Sequence, residues 1–493
     1  MITRDIIRKN IRFFEQDRIY SLSDLCEKID FFKRCLINID NSLNFNCVVG
    51  SHDVDFLGLA FLFALFELQI PIVNARSVDS VYVDKNVSNN KIFLRKSDQH
   101  KVREYTNENL DVVIIEEMEG SSTDVSFKEL AANKLLLTYF SSGTTGLPKK
   151  YFHSHETVLA SAINAKIFHK EGGASLWNSA DSINHFGIVT TTILPTLMMS
   201  DVIVFNTANQ IKDHVQSYAE LTENLQKEQI KITSSTVFAH SVSILSVFAD
   251  IFADDIGILT GAGIFVKRIQ SVAKKSLPNH KNVKIYNVYG CTELATPLLW
   301  SKYDIFSDYT DDQFLTFTDV IDNVEIIMTE SGLIEGFKPN KIFTSNREED
   351  LKCPDDIKRE GDNFRFINRK DFIMPLFGIS HIGSKVIFNI NEVMVQNFLC
   401  GITDKTITSI KFVTDRLDHA VIFKFTIFCE EALSLSIDEI NDKFVEFIKT
   451  TLKITPLDSF ARIFNRIVIV PDLQSKNNGL KFDVNELKKY IAL

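Results

Sequence analysis

Glycine and proline are scarce in this sequence, and basic residues are outnumbered by acidic ones. The 493 residues include 19 glycines, 10 prolines and 7 cysteines, and we find no low-complexity linker. No two cysteines have the CxxC spacing of a zinc site or a redox dithiol. The formal net charge is −10, whereas nucleic-acid-binding proteins usually carry a basic face. We therefore expect neither a zinc site nor a nucleic-acid partner.

Long apolar runs are also missing. The most apolar stretch, residues 56–66, is about half as long as a helix that crosses a bilayer. The N-terminal residues carry too many charges for a secretory signal. Together with the scattered cysteines, these features predict a cytoplasmic protein without a membrane span.

Apolar periodicity predicts an α/β fold. Residues 22–36 keep helical spacing, and a strand at 47–49, an apolar helix at 55–68 and a strand at 70–73 follow. Strand–helix–strand units of this spacing build parallel sheets with buried helices. Later candidates are a helix at 159–168 and strands at 111–115, 201–205, 256–259 and 283–288.

The composition changes near residue 370. Residues 330–370 are polar and charged, whereas residues 372–493 carry 14 basic and 14 acidic side chains. The length of the chain also favours more than one domain. We predict a large N-terminal domain of mixed sheets with buried helices at 1–370, and a small, mobile α+β domain at 371–493.

The most informative motif lies between residues 135 and 155. An apolar, strand-like stretch leads into Ser141, Ser142, Gly143, Thr144, Thr145, Gly146, Leu147, Pro148 and Lys149. Glycines let the backbone approach an anion, hydroxyls donate hydrogen bonds, and a lysine adds a mobile charge. The segment therefore predicts a polyphosphate-binding loop. It lacks the Gly-x4-Gly-Lys-Ser/Thr pattern of a P-loop, and an aromatic strand follows it instead of a helix.

A second motif, Tyr-Gly-Cys-Thr-Glu at 289–293, follows the predicted strand 283–288. Taken alone it is also typical of a surface turn. In this order, the two motifs resemble the adenylate-forming superfamily, which contains acyl-CoA synthetases, peptide-synthetase adenylation domains and luciferases. The resemblance implies that ATP and Mg²⁺ are cofactors. It implies that Tyr289 stacks on adenine beside Asn287 and Gly290, that Thr292 contacts the α-phosphate, and that Glu293 and Thr144 hold Mg²⁺.

Two further segments match the family in order. Gly261, Ala262 and Gly263 correspond to a glycine-rich segment that lines the acid and adenine pockets, although glycines after a strand usually make only a turn. His185, within residues 182–187, corresponds to a residue that gates the carboxylate pocket, and a structural histidine is the alternative. Amino-acid-activating members usually have an aspartate here, so Asn184 and His185 favour an acid without an α-amine.

The C-terminal matches are looser. Asp350 and Arg369 correspond to residues that bind the ribose hydroxyls and phosphate, and Asp371 corresponds to a hinge; a charged surface hairpin is the alternative. The family ends with a lysine that reaches the substrate carboxylate and the α-phosphate. Lys481 matches its distance to a following leucine, Leu487, and Lys476 is the alternative.

The resemblance implies a stand-alone enzyme that adenylates an aryl or acyl acid and releases pyrophosphate. The acyl group would then pass to the pantetheine thiol of an acyl or peptidyl carrier protein or of CoA. Lys149 would bind the β- and γ-phosphates. An unusually long segment at 372–390 makes a non-thiol acceptor an alternative, and the departures near Lys481 make a non-catalytic nucleotide-binding protein a second one.

Overall fold

Two units divide the chain in the computed structural model. One consists of Met1–Lys352 and Glu360–Phe364, and the other of Cys353–Arg359 and Arg365–Leu493. The structure describes residues 2–43, 45–49, 55–74, 90–96, 111–119, 135–141, 149–178, 186–206, 211–237, 244–261, 266–291, 296–322, 324–339, 352–353, 355–369, 373–380, 385–391, 395, 398–399, 401–403, 407–417, 420–429, 432–452, 454–456 and 463–469. Helices and strands alternate through most of these ranges, which confirms the predicted α/β class.

The first unit contains most of the strands and helices. Its strands are β1 (Arg12–Glu15), β2 (Arg18–Ser21), β3 (Asn46–Val49), β4 (Ile72–Asn74), β5 (Asn90–Leu94), β6 (Asp111–Ile114), β7 (Leu135–Ser141), β8 (Lys149–Ser154), β9 (Ala174–Asn178), β10 (Val202–Asn206), β11 (Ile232–Thr236), β12 (Phe252–Gly261), β13 (Asn282–Cys291), β14 (Thr296–Asp304), β15 (Thr316–Phe317), β16 (Asp319–Val320), β17 (Val324–Met328) and β18 (Ile334–Pro339). Its helices are α1 (Leu22–Ile39), α2 (Phe56–Leu68), α3 (His155–Ala165), α4 (Phe186–Ile188), α5 (Leu194–Met199), α6 (Ile211–Lys227), α7 (Ile244–Val247), α8 (Val266–Ser276) and α9 (Asp311–Phe314). Short 3₁₀ turns occupy Arg4–Ile6, Ile115–Glu117, Lys166–Phe168 and Ala249–Ile251, and a π-helix occupies Val189–Ile193.

Two large sheets organise this unit. The nine-stranded sheet has the order β16-β14-β13-β12-β11-β9-β10-β1-β2, and β1, β10, β9, β11, β12 and β13 are parallel neighbours. The six-stranded sheet has the order β6-β5-β3-β4-β7-β8, in which β7 and β8 alone are antiparallel. The predicted strand–helix–strand unit is confirmed, because β3 and β4 are parallel and α2 connects them.

Local signals explain where the first two helices begin and end. Ser21 and Asp24 form a capping box at the start of α1, which satisfies backbone donors that have no partner within the helix. Asp55 accepts a hydrogen bond from the Gly58 N–H at the start of α2. The second helix ends at Gln69, which adopts the left-handed conformation with φ 53°. Nearly every side chain of α2 is buried, as expected for a helix that is apolar all round.

The nine-stranded sheet is covered on both faces. On one face α6, α7 and α8 contribute apolar side chains, among them Leu225, Leu245 and Ile269, to a large core. On the other face, Ala165 and Phe168 at the end of α3 pack on Leu259, Val288 and Ile321. Burial of both faces explains why the parallel strands read as continuous apolar runs.

The N-terminal segment connects several layers of the first unit. Arg4 donates hydrogen bonds to both carboxylate oxygens of Glu67 on α2, with N···O distances of 2.8 Å. Lys33 on α1 adds a third at 2.9 Å. The Ile2 N–H donates to His155 Nδ1, at the start of α3, over 3.2 Å. These contacts hold α1, α2 and α3 to one stretch of chain.

The second unit is smaller and contains strands with one long helix among its described residues. Its elements are β19 (Asp355–Glu360), β20 (Asn363–Arg369), β21 (Ile373–Ser380), β22 (Lys385–Asn391), β23 (Ile407–Leu417), β24 (Ala420–Cys429), α10 (Ile437–Phe447), β25 (Ile454–Pro456) and β26 (Phe464–Ile469), with a π-helix at Ile448–Leu452; β19 and β20 straddle the division. Phe398, Phe444 and Phe464 are central to its core. The domain boundary at 370 and the mobility of the small domain stay predictions.

Candidate functional site

The predicted phosphate loop connects two antiparallel strands. Ser141 at the end of β7 pairs with Lys149 at the start of β8, so the two ends of the Ser/Thr/Gly segment lie opposite each other. A strand follows Lys149, as expected, and the helix of a P-loop is absent at that point. The intervening residues Ser142, Gly143, Thr144, Thr145 and Gly146 lie outside the described residues, and their role in phosphate binding stays a prediction.

The second motif begins inside a strand. Tyr289 and Gly290 belong to β13, which pairs with β14 from Lys284 to Cys291, so a surface turn is ruled out for these two residues. The Tyr289 ring lies 5.8 Å from that of Phe317, centroid to centroid. Thr292 and Glu293 lie outside the described residues, so their assigned contacts with phosphate and Mg²⁺ are untested.

The carboxyl ends of β12 and β13 lie side by side. Gly261 pairs with Val288 in a parallel register, which brings the first residue of the Gly-Ala-Gly segment next to the tyrosine motif. Asn287 is fully buried between them. Its Nδ2 donates to the Phe314 carbonyl over 3.5 Å, whereas Oδ1 has no hydrogen-bond partner among the described residues. Ala262 and Gly263 lie outside the described part of the chain.

One helix follows the strand of the first motif and packs against the strands near the second motif. The strand β8 leads directly into α3, and Ser154 caps that helix by accepting from the Thr157 N–H over 3.2 Å. The far end of α3 packs on Leu259 and Val288, next to the ends of β12 and β13. The helix α3 therefore lies between β8, in the six-stranded sheet, and the ends of β12 and β13, in the nine-stranded sheet.

The segment that follows the predicted gate residue is partly π-helical. His185 lies outside the described residues, and α4 begins at the next residue. A π-helix over Val189–Ile193 separates α4 from α5. π-helical turns are uncommon and often occur at functional sites. The sequence carries one signal of this feature, the run Thr190-Thr191-Thr192, because threonine hydroxyls compete for helix carbonyls.

A histidine that the sequence analysis does not single out contacts this π-helix. The Nε2 atom of His169 lies 2.5 Å from the Thr191 carbonyl oxygen, and Nδ1 lies 3.0 Å from Ser234 Oγ on β11. Burial lowers the pKa of His169 to about 4, against the opposing effect of its bond to Thr191. The ring is therefore neutral at neutral pH, with Nε2 as the donor.

The remaining predicted residues belong to the C-terminal region. Arg369 is the last residue of β20, which pairs with β19 in a hairpin that turns at Gly361 with φ 65°. Asp350, Asp371, Lys476 and Lys481 lie outside the described residues. Within the described ranges, no three His, Cys, Asp or Glu side chains are grouped so that they could hold a metal ion, and none of the described helices is long and apolar enough to cross a bilayer.

The first unit has two sheets, one with the paired strands β7 and β8 on either side of the Ser/Thr/Gly segment and the other with the tyrosine strand β13, and this is the fold of an adenylate-forming enzyme. The sequence from residue 61 to residue 326 matches the model of the AMP-binding enzyme family. The chain belongs to that family, and the resemblance to the adenylate-forming superfamily is confirmed. A comparison with curated proteins found no match.

Solved structures of several adenylating enzymes share the fold along nearly the whole chain. O-succinylbenzoate coenzyme A synthetase (MenE) from Bacillus subtilis, in complex with AMP, superposes with a TM-score of 0.70 at 14% identity, covering 98% of this chain and 96% of that chain. The amide bond synthetase McbA from Marinactinospora thermotolerans gives 0.68 at 12% identity, with 99% and 98% covered. McyG A-PCP complexed with phenylalanyl-adenylate gives 0.68 at 15% identity, with 98% and 80% covered. At these identities the likeness concerns the fold alone.

Proposed function

We propose that this protein adenylates a carboxylic acid with ATP, releases pyrophosphate, and passes the acyl group to a pantetheine thiol of a carrier protein or of CoA. The observation that carries the proposal is the pairing of Ser141 with Lys149. This pairing holds together the two ends of a segment rich in hydroxyls and glycine, which suits a polyphosphate. The family match over residues 61–326 supports the same chemistry.

The reaction makes a poor electrophile reactive. A carboxylate oxygen attacks the α-phosphorus of ATP, the bond to the bridging oxygen breaks, and pyrophosphate leaves with that electron pair. The product is a mixed anhydride whose leaving group is AMP. Because two anions must meet, the protein has to supply positive charge and fixed geometry rather than a nucleophile. Lys149 would neutralise the β- and γ-phosphates, and Lys481 would lie between the carboxylate and the α-phosphate.

Nucleotide and metal would be held by residues of the first unit. Tyr289 offers a ring on β13 for the adenine, next to the paired ends of β12 and β13. The Oδ1 of Asn287, which has no hydrogen-bond partner within the described part of the chain, is a buried acceptor nearby, which suits a group that donates hydrogen bonds. The carboxylate of Glu293 and the hydroxyl of Thr144 are the hard oxygen donors that Mg²⁺ prefers, and the ion would neutralise phosphate charge.

The remaining predicted residues would bind the ribose and the acid. Asp350 and Arg369 would bind the ribose hydroxyls and phosphate. Gly261, with Ala262 and Gly263 after it, would let an extended acyl group or the adenine lie against backbone. His185 would border the carboxylate. An acid without an α-amine fits best, because Asn184 and His185 replace the aspartate that would pair with the amine.

A non-thiol acceptor is the second candidate function. The segment after the hinge forms an antiparallel pair, β21 with β22, in which Ile373 lies opposite Asn391. This part of the sequence is longer than the family pattern, and in the family it serves the thiol-transfer step. Supplying CoA, pantetheine and simple amines to the protein with ATP and an accepted acid would separate the candidates. Adenylate without thioester, followed by amide when an amine is added, would favour the second.

The first reaction can be tested by ATP–pyrophosphate exchange across a panel of aryl and acyl acids. Lys481→Ala is expected to lower the exchange rate on the order of 10²–10³-fold, as loss of one charged transition-state contact does. Lys476→Ala tests the alternative assignment: a loss of that size for Lys476→Ala, with little change for Lys481→Ala, would give the catalytic role to Lys476. A folded protein that binds ATP but exchanges with none of the acids would refute the proposal, and would favour a non-catalytic nucleotide-binding protein.

A further inference from the structure

His169 joins the nine-stranded sheet to the helical stretch that begins at Phe186. It comes directly after the 3₁₀ turn at the end of α3, and only 5% of its surface is exposed. Its ring lies between Ser234 Oγ, 3.0 Å from Nδ1, and the Thr191 carbonyl oxygen, 2.5 Å from Nε2. A single imidazole thus spans the distance from strand β11 to the π-helix.

The contact continues to the start of the helix. The Thr191 hydroxyl donates to the Gly187 carbonyl oxygen over 2.5 Å, so the residue whose carbonyl accepts from His169 also fixes Gly187. Gly187 is the last residue of the 182–187 segment. A continuous series of hydrogen bonds therefore runs from the sheet to Gly187, through Ser234, His169 and Thr191.

Two further hydrogen bonds anchor the same helix but do not reach Gly187. The hydroxyls of Thr192 and Thr236 lie 2.7 Å apart. Trp177 Nε1 donates to Thr196 Oγ1 over 3.0 Å. These two contacts would hold the middle and the end of the helix if the His169 contact were lost. Removing the imidazole should therefore loosen the first turn in particular.

The two hydrogen-bond partners of His169 fix the tautomer of its neutral ring. A carbonyl oxygen only accepts, so Nε2 must carry the hydrogen, and Nδ1 is left to accept from the Ser234 hydroxyl. Both ring nitrogens are used in the neutral form. The tautomer is thereby fixed by its two partners, and the imidazole can act as a rigid spacer of defined length.

We propose that His169 is a positioning residue for the acid pocket, which holds the π-helix and, through Thr191, sets the place of Gly187 in the helical stretch that begins at Phe186. The inference rests on the proposed function, in which His185, the residue before this stretch, borders the substrate carboxylate. A π-helical turn contains one residue more than an α-helical turn allows. If the turn relaxed to an α-helix, the preceding residues would rotate by about 100° around the axis.

The test compares three variants of the full-length protein. His169→Leu removes both hydrogen bonds, and His169→Gln keeps an N–H donor at about the position of Nε2. Gln270→Leu is the matched control, because Gln270 is also buried and its Nε2 donates to two backbone carbonyls, of Asp304 and Ser307, at 3.3 and 2.8 Å. Those carbonyls belong to a different part of the first unit, so the control reports a general loss of stability.

Two readouts separate positioning from stability. In pyrophosphate exchange, His169→Leu is expected to raise the KM for the acid roughly tenfold, the effect of about 1.4 kcal/mol, and to leave the KM for ATP within twofold. His169→Gln should recover most of the loss, and Gln270→Leu should change neither constant. An equal rise in both KM values for His169→Leu, or the same acid KM rise for Gln270→Leu, would overturn the proposal.

Hydrogen exchange followed by mass spectrometry provides the second readout, without any substrate. Peptides covering residues 186–196 should exchange faster in His169→Leu than in wild type, while peptides from α2 remain unchanged. No acceleration, or equal acceleration in α2, would overturn the positioning role. If wild type exchanges pyrophosphate with no acid, the proposed function fails, and hydrogen exchange alone then decides whether His169 holds this helix.

Discussion

Replacing Glu15 by glutamine should stabilise the protein at slightly alkaline pH. The Glu15 carboxyl is largely buried, and burial together with the nearby charge of Asp55 raises its pKa to about 7, against the opposing effects of the Phe56 N–H and of Arg95 and Arg18. The ordinary value is 4.5. The folded protein therefore holds a proton on this group between pH 4.5 and 7 that the unfolded chain has lost.

The size and sign of the effect follow from these two values. Since the native state binds more protons in that window, stability falls as the pH rises from about 4.5 to about 7. At 1.36 kcal/mol per pKa unit, ionising Glu15 costs about 3 kcal/mol at pH 8 and below about 1 kcal/mol at pH 5. A glutamine is neutral at both pH values and can still accept from the Phe56 N–H. Glu15→Gln should thus gain roughly 2–3 kcal/mol at pH 8 and little at pH 5.

Urea unfolding followed by tryptophan fluorescence measures this difference. The chain has two tryptophans, Trp177 and Trp300, and both lie in the first unit together with Glu15, so the signal reports on the relevant transition. Glu228→Gln, at an exposed glutamate in the same unit, is the control and should leave stability nearly unchanged at both pH values. A gain for Glu15→Gln that is the same at pH 5 and pH 8, or a loss at pH 8, would refute the reasoning.

Three further substitutions test the ion pairs and the packing of the first unit. Glu67→Gln should destabilise it by about 3–5 kcal/mol, because Lys33 and Arg4 would both lose the charge of this buried carboxylate, and Arg4 would keep its ion pair with the more exposed Asp30. Burial alone would raise the pKa of Glu67, but hydrogen bonds from Arg4 and Lys33 hold it at about 2. The stability that the ionised carboxylate contributes should therefore be lost as the pH falls from 4.5 towards 2, and the urea midpoint of wild type should fall with it. Gly173→Ala should cost roughly 2–4 kcal/mol by the same fluorescence assay, since φ is +80° and a Cβ would lie 2.5 Å from Thr233 Oγ1. Gly361→Ala, with φ +65° and open space around it, should cost only about 1–2 kcal/mol, and an equal cost for both glycines would contradict the steric argument.

The sequence predicts element types well where one local signal dominates. The helix α2 is predicted within a residue of its observed start, because an unbroken apolar run follows Asp55 and the cap is local. The strand β13 is predicted to end at Val288 but continues to Cys291. Its extension depends on antiparallel pairing with β14, in which Tyr289 lies opposite Leu299. Such pairing is a long-range contact that hydrophobic periodicity does not encode.

Residues that hold the site in place are harder to predict from the sequence than the motifs that would contact the ligand. Residues that would contact phosphate stand in recognisable patterns, because a polyphosphate requires several donors within a short stretch of chain. His169 stands in no pattern. Its partners, Ser234 and Thr191, are distant in sequence and are brought to it only by the stacking of β11, the turn after α3 and the π-helix. A lone histidine in a sequence therefore carries no sign of which carbonyl it will hold.

The chain segment that links β8 to the core near β12 and β13 bears on the proposal that two motifs distant in sequence bind one ATP. Lys149 begins β8, that strand continues into α3 without an intervening loop, and the end of α3 packs on Leu259 and Val288. Because a helix is stiff along its axis and both of its ends are held, a shift of the Ser141–Lys149 pair would have to displace α3 or unpack that core. The spacing between the Ser141–Lys149 pair and the ends of β12 and β13 is thus constrained by β8 and α3 together. A single ATP that bridges the two motifs requires such a fixed spacing.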